Sequence, residues 1–174
     1  MINQSLKNKK IIISAGASGI GLATAKVCLS RGATVYLCDI DSKSNNKLNK
    51  HPLKNKKIII SAGAAGIGLA TAKVCLARGA TVYLCDIDSK SLNKLSKHPL
   101  KNKKLFAYLC DASNEYQVSD FFEKIKKKTK KIDALINNVG VAGPTGSLEK
   151  LKSKDWENTL HVDVNSHFYF TKRA

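Results

Sequence analysis

Aromatic, arginine and acidic residues are scarce in this chain of 174 residues. Aromatic residues make up 6% of it, and 13 acidic residues stand against 30 lysines and arginines, of which all but Arg31, Arg78 and Arg173 are lysine. No aromatic residues interleave the lysine runs to make a stacking platform for nucleic-acid bases. The lysine run at 126–131 follows an apolar helical stripe, where cations suit the helix dipole. We therefore interpret the net charge of +17 as solvated surface rather than a specific nucleic-acid site.

Signals for metal binding, disulfides and membranes are also missing. The five cysteines show no CxxC or Cys/His metal spacing, so we expect no metal site and reduced, packed thiols. The uncharged stretch 11–25, which no other uncharged stretch exceeds in length, is short of a membrane span and contains three glycines. The first five residues lack the apolar core of a signal peptide. We expect a cytoplasmic protein with no membrane contact.

What the chain does contain is a repeat. Residues 6–52 and 53–99 match at 43 of 47 positions. The four differences are Ser18/Ala65, Ser30/Ala77, Asn45/Leu92 and Asn49/Ser96. Two copies are too few for a solenoid, which stacks roughly three or more units to bury a continuous core. We predict an extra copy of one unit at 1–52, followed by the domain proper at 53–174.

The second copy predicts a strand, a helix and a second strand. Ile58, Ile59 and Ile60 form a β-branched run that leads into glycines, as a buried strand entering a tight turn does. Apolar residues at helical spacing follow as far as Gly79, which is typical of a helix C-terminal cap. The next strand covers 81–85, and the crossover rule makes the two strands parallel. The first copy predicts the same unit over 11–39.

Two further strands are predicted after the repeat, at 105–110 and 132–137. The helix between them is indicated by apolar residues three and four apart, namely Val118, Phe121, Phe122 and Ile125. A last helix carries on one face Trp156, Leu160, Val164 and Phe168. This alternation of strands and helices predicts an α/β fold, a Rossmann-like doubly wound parallel sheet that is truncated and has a tandem βαβ unit at its N-terminus.

The glycine-rich turn at 63–68 stands between a strand and a helix, where phosphate can bind. Glycine lets the backbone approach a ligand closely, and a helix start presents free N–H groups and partial positive charge. Asp86 lies 18 residues past Gly68, at a strand end. A carboxylate there accepts hydrogen bonds from the ribose hydroxyls of adenosine and repels a 2′-phosphate. The turn and the acid together predict a site for NAD rather than NADP.

The order of these motifs resembles the short-chain dehydrogenase/reductase family. Residues 61–68, Ser-Ala-Gly-Ala-Ala-Gly-Ile-Gly, are similar to its Thr-Gly-x-x-x-Gly-x-Gly motif, with Ser for Thr and Ala for the first Gly. Asp86, Cys110-Asp111-Ala112, Asn137-Asn138-Val139-Gly140 and Asn165 follow in the family's order. The resemblance implies an NAD-dependent oxidoreductase that interconverts alcohols and carbonyls by hydride transfer.

The same resemblance implies roles for individual residues. The aspartate after the third strand contacts adenine, the Asn-Asn segment braces the sheet and lines the ribose, and the helix asparagine anchors a proton-relay water, which makes Asn165 the catalytic residue. The implied cofactor contacts are Gly63, Gly66, Ile67, Gly68, Asp86, Asp111, Ala112, Asn138 and Gly140. The duplicate set in the first copy is Gly16, Gly19, Gly21 and Asp39.

The family's proton relay also needs a serine, and a tyrosine with a lysine four residues later. No such tyrosine–lysine pair occurs here, since Tyr169 and Lys172 have the wrong spacing. We therefore expect an N-terminal portion of such a dehydrogenase, with its first βαβ unit duplicated, its C-terminal catalytic part missing and little or no turnover. An alcohol or carbonyl substrate is expected only for the full-length protein.

The sequence leaves alternatives open. One is a non-catalytic NAD-binding module that acts through a partner chain, another is a lysine-rich nucleic-acid binder, and a third is a remnant that never folds stably. Because the two copies are nearly identical, the sequence also does not determine which of them occupies the sheet. The first copy could replace the second in the sheet, add strands at an edge, or exchange between chains of a homo-oligomer.

Overall fold

The computed structural model describes residues 5–7, 9–14, 19–38, 53–96 and 104–174. The chain divides into two compact units, Met1–Leu53 and Lys54–Ala174.

The first unit contains a strand, a helix and a strand. These are β1 (Lys10–Ser14), α1 (Gly19–Ser30) and β2 (Thr34–Cys38), and β1 pairs with β2 in parallel. A small core forms from Ala25, Cys28, Ala33, Val35 and Leu37. The isoleucines of β1 stay half-buried, because a two-stranded sheet offers too little surface to cover both of its faces.

The second unit is built on four parallel strands with helices between them. The strands are β3 (Lys57–Ile60), β4 (Thr81–Asp86), β5 (Leu105–Leu109) and β6 (Ala134–Ile136). The α-helices are α2 (Gly66–Ala77), α3 (Ser89–Ser96), α4 (Glu115–Lys126), α5 (Ser153–Leu160) and α6 (Ser166–Thr171). A 3-10 turn (Leu148–Lys150) precedes α5, and a π-helical segment (His161–Asn165) joins α5 to α6.

The strand order in this sheet is β5-β4-β3-β6, and every neighbouring pair is parallel. The chain runs outward from β3 to β5 and then returns to the other side of β3 as β6. This reversal is the topological switch of a doubly wound sheet. The predicted α/β Rossmann-like fold is thereby confirmed, whereas the tandem extra unit and the domain boundaries stay predictions.

Strand β3 and the C-terminal end of α2 show how the repeat sequence directs the fold. Ile58, Ile59 and Ile60 of β3 are at most 2% exposed, as their continuous apolar run predicts for a central parallel strand. Helix α2 stops before Gly79, whose φ of +89° is left-handed. The Gly79 N–H donates to the Leu76 carbonyl, so the last helical carbonyls keep hydrogen bonds.

The main core of this unit is aromatic and lies between the sheet and helices α4 and α6. Phe121, Phe122 and Phe170 are at most 3% exposed, and their ring centroids lie 5.6–5.7 Å apart. Helix α4 is capped by Asn114, whose side chain accepts hydrogen bonds from the backbone N–H groups of Tyr116 and Gln117. The four apolar residues predicted for one face of the last helix are exposed: Trp156, Leu160, Val164 and Phe168.

Candidate functional site

A cleft of about 230 Å³ opens at the carboxyl ends of the strands. Its lining comes from Ala62, from 86–87 at the end of β4, from 110–113 after β5, and from 139–141 and Val162. The cleft therefore lies beside the switch point between β3 and β6, where open α/β sheets bind their ligands.

The glycine turn has no room for a side chain at two of its positions, Gly63 and Gly68. A Cβ on Gly63 would lie 2.6 Å from the Leu84 Cβ, and one on Gly68 would lie 2.2 Å from the Ala62 carbonyl oxygen and 2.7 Å from Asn138 Nδ2. Both contacts are far inside van der Waals distance. The turn is therefore packed tightly enough to bring backbone N–H groups at the start of α2 close to a ligand.

Ala62 stands where the resembled motif has its first glycine. Its backbone conformation is one that favours glycine. Its φ is +48°, in the left-handed region. An L residue with a Cβ occupies this region at a cost, whereas glycine does not. Alanine at this position therefore places strain in the turn.

Asp86, one of the expected cofactor contacts, lines the cleft at the end of β4 and is 8% exposed. Its carboxylate accepts the Ala64 N–H at 2.9 Å on one oxygen and the Asp88 N–H at 3.0 Å on the other. A carboxylate oxygen has about two acceptor positions, so each oxygen of Asp86 retains one for a further donor. The acid thus ties the glycine turn to the end of β4 and keeps capacity for a ligand hydroxyl.

Asn138 ties the same turn to β6. Its backbone N–H donates to Ser61 Oγ at 2.9 Å, and its Nδ2 donates to the Ala62 carbonyl oxygen at 2.9 Å. Ser61 is 1% exposed and also donates to the Ile136 carbonyl. The bracing role of Ser61 was missed from the sequence. A hydroxyl at the motif's threonine position is the signal that could have revealed it.

The far side of the cleft is set by the turn after β5. Asp111 Oδ1 accepts hydrogen bonds from the N–H and the hydroxyl of Ser113, at 2.9 and 2.7 Å. The Cys110 N–H donates to the Asp86 carbonyl, which joins this turn to the end of β4. Asp111 and Ala112, both predicted contacts, line the cleft together with Asp86.

The 139–141 loop is held by the π-helical segment. Asp163 Oδ1 accepts the Val141 N–H at 2.8 Å, and His167 Nε2 donates to the Val139 carbonyl at 2.9 Å. Gly140, one of the expected cofactor contacts, lines the cleft. Asn165, the predicted catalytic residue, is exposed, and its Nδ2 lies 3.1 Å from His161 Nδ1. It does not line this cleft.

The thiol of Cys85, next to Asp86 in β4, is not activated as a nucleophile. A hydrogen bond with Cys110 and burial together raise the pKa of Cys85 well above its ordinary value, so this thiol stays protonated at neutral pH. Within the described residues no group of three or more His, Cys, Asp or Glu side chains could hold a metal ion. The same part of the chain has no helix long and apolar enough to cross a membrane.

Only part of the duplicate site in the first copy is described. Gly19 is the first residue of α1, and Gly21 lies two residues later in the same helix. Gly16 and Asp39 lie outside the described residues.

Residues 56–174 match the sequence model of the short chain dehydrogenase family. Short-chain dehydrogenase reductase 5 of Arabidopsis thaliana is 31% identical over 174 residues, which cover 100% of this chain and 49% of that protein. The chain therefore spans about half the length of this curated relative.

Solved structures show the same architecture. A short chain dehydrogenase from Mycobacterium smegmatis is 27% identical with a TM-score of 0.61, over 70% of this chain and 51% of that one. The structure of ElxO with NADP bound is 24% identical with a TM-score of 0.62, over 68% of this chain and 48% of that one. At this identity the second likeness shows the fold alone.

Proposed function

The chain belongs to the short chain dehydrogenase family of oxidoreductases, and on that premise we propose that its cleft binds the adenosine half of NAD. The observation that carries the proposal is the position of Asp86, which lines the cleft and is hydrogen-bonded to the glycine turn. A ribose bound at Asp86 would place its diphosphate at the start of α2.

The residues present fit this cofactor. A Cβ at Gly63 or Gly68 would clash with its neighbours, so the backbone before and at the start of α2 carries no side chain at these two positions. A bare backbone at a helix start is the arrangement that accepts a diphosphate. Asp86 would take the ribose hydroxyls, and Asp111 and Ala112 would lie against the adenine. When bound, NAD supplies the hydride acceptor of the family's reaction, and we assign to Asn165 the anchoring of a proton-relay water.

The preference for NAD over NADP is argued from charge. The ElxO structure contains NADP, so the fold by itself does not exclude NADP. In this chain a 2′-phosphate would meet the carboxylate of Asp86, which is 8% exposed and so poorly screened by water. Repulsion between the 2′-phosphate and the Asp86 carboxylate therefore disfavours NADP. The turn supplies Ala64 and Ala65 rather than a lysine or arginine to offset them.

Calorimetric titration of the chain with NAD, NADH and NADP tests this proposal. We expect NAD to bind at least about tenfold more tightly than NADP, and Asp86→Asn to remove most of that difference because the ribose loses a charged hydrogen-bond acceptor. Asp39→Asn, at the equivalent position of the first copy, is the matched control and should change neither affinity. Equal affinity of the unaltered chain for NAD and NADP would contradict the proposal.

Turnover is expected to be absent from these 174 residues taken alone. A tyrosine and a lysine at the relay spacing do not occur in them, so an alcohol hydroxyl would have no general base of that kind. An assay of NADH formation on a panel of alcohols should therefore give no signal above the rate without protein, while the same preparation binds NAD.

A further inference from the structure

The described parts of the two copies share the same parallel strand pairing. In the first copy Ile11 pairs with Val35, and in the second Ile58 pairs with Val82 at the same register. The Thr34 N–H donates to the Lys9 carbonyl at 2.8 Å, as the equivalent Thr81 N–H does to Lys56 at 2.8 Å. Each unit is therefore already shaped for the position that only the second copy holds in the sheet.

The surfaces that receive the second copy contact groups that both copies possess. On the β6 side, Asp133 accepts the Lys57 N–H at 3.0 Å and the Lys56 ammonium at 3.1 Å. Lys9 and Lys10 occupy the equivalent positions of the first copy. On the β5 side, the Val82 N–H donates to the Lys104 carbonyl. A backbone donor or a lysine is present at each position in either copy, so these contacts do not distinguish the copies.

The four differences between the copies lie where the sheet depends on them least. Ala65, Ala77 and Ser96 are exposed, and only Leu92 is half-buried, in a groove against β5. Asn45 stands at that position in the first copy. The first copy would also need a longer connection to β5, 66 residues (39–104) instead of 18 (87–104). Positions 45 and 92 lie outside segments 10–38 and 57–85, which form the matching βαβ units, so the longer connection is the main term. It favours the second copy by only about tenfold.

The first copy has apolar surface that the sheet position would cover. Val27 and Leu29 of α1 are 49% and 44% exposed, whereas Leu76, the equivalent of Leu29, is 8% exposed. Burial of such side chains is the main favourable term in folding. Whichever copy occupies the sheet gains this burial, so the gain does not discriminate between them.

We propose that the first copy is an alternative occupant of the sheet, and that residues 10–38 exchange with residues 57–85 between β5 and β6. The chain then has two folded forms, with the second copy in place in most molecules. The receiving surfaces of β5 and β6 form a docking site for a segment of the same chain. This inference concerns folding and does not depend on cofactor binding.

Gly68→Ala tests the exchange, because a Cβ there would clash with the Ala62 carbonyl oxygen within the second copy and would lie 2.7 Å from Asn138 Nδ2, which follows β6. Hydrogen exchange measured by mass spectrometry follows three segments, 10–14, 57–60 and 134–136. Peptides that span Ser18 or Ala65 have different masses, so the copies are distinguishable. We expect Gly68→Ala to protect 10–14, expose 57–60 and leave 134–136 slow to exchange.

Gly21→Ala and the double variant complete the test. Gly21→Ala alone should leave the exchange of 134–136 unchanged, and Gly68→Ala with Gly21→Ala should make it at least about tenfold faster than either single variant. The proposal is overturned if Gly68→Ala alone exposes 134–136 as fully as the double variant does, or if residues 10–14 gain no protection. Neither result would bear on NAD binding by the unaltered chain.

Discussion

Ala62→Gly should stabilise the second unit, although a change from alanine to glycine usually destabilises a protein. Ala62 has a φ of +48°, and an L residue in the left-handed region costs about 1–2 kcal/mol. Glycine avoids that cost but loses about 0.5–1 kcal/mol more backbone entropy on folding. The difference predicts a rise of up to about 1 kcal/mol in the free energy of unfolding, or roughly 3–5 °C in Tm for a unit of this size.

Thermal and urea denaturation followed by circular dichroism measure this change. Asn55→Gly is the matched control, because Asn55 also has a left-handed φ, of +66°, but asparagine tolerates that region. We expect Asn55→Gly to change the free energy of unfolding by less than about 0.5 kcal/mol. A fall in Tm for Ala62→Gly, of the size seen for alanine to glycine in ordinary backbone, would refute the argument that the turn strains Ala62.

Two further predictions concern the aromatic core and the loss of stability at low pH. Phe121→Ala should lower the free energy of unfolding by about 3–5 kcal/mol, because its ring is 1% exposed among other aromatic rings. Phe168→Ala, at a ring 59% exposed, should cost less than about 1 kcal/mol in the same urea titration. Burial alone would raise the pKa of Asp133, but hydrogen bonds from the Lys57 N–H and the Lys56 ammonium outweigh it and lower that pKa. Its stabilisation is therefore present above the unfolded-state pKa, about 4, and is lost as pH falls through the folded-state pKa. In thermal melts from pH 7 to pH 2, Tm should fall less steeply with falling pH for Asp133→Asn than for the unaltered chain. Equal slopes would refute the argument that ionised Asp133 stabilises the fold.

Local signals in the sequence predicted most elements of the second unit. The isoleucine run gave β3, Gly79 marked the end of α2, and the apolar spacing of Val118, Phe121 and Ile125 indicated α4. These features depend on neighbours within about one helical turn, so pattern rules capture them.

The last helix shows where such rules fail. Its apolar spacing predicts a continuous helix, yet a π-helical segment interrupts it at His161–Asn165. The Ser166 hydroxyl donates to the Val162 carbonyl, so a side chain occupies a carbonyl that the helix backbone would use. In addition, Asp163 and His167 hold the 139–141 loop. These contacts join residues more than 20 positions apart, which a local spacing rule does not encode.

The sequence by itself determined the family, the glycine turn and the acid at the end of β4, because these rest on residue types at short, regular separations. Only the tertiary structure decided how they meet. Parallel pairing of β4 with β3 and β5 brings Asp86 beside Ala64 and beneath Asp111 at one edge of the sheet. It also places the second copy between β5 and β6, although the same residues occur twice in the chain. That choice depends on the small free-energy difference between two nearly equal packings, and no local pattern reports such a difference.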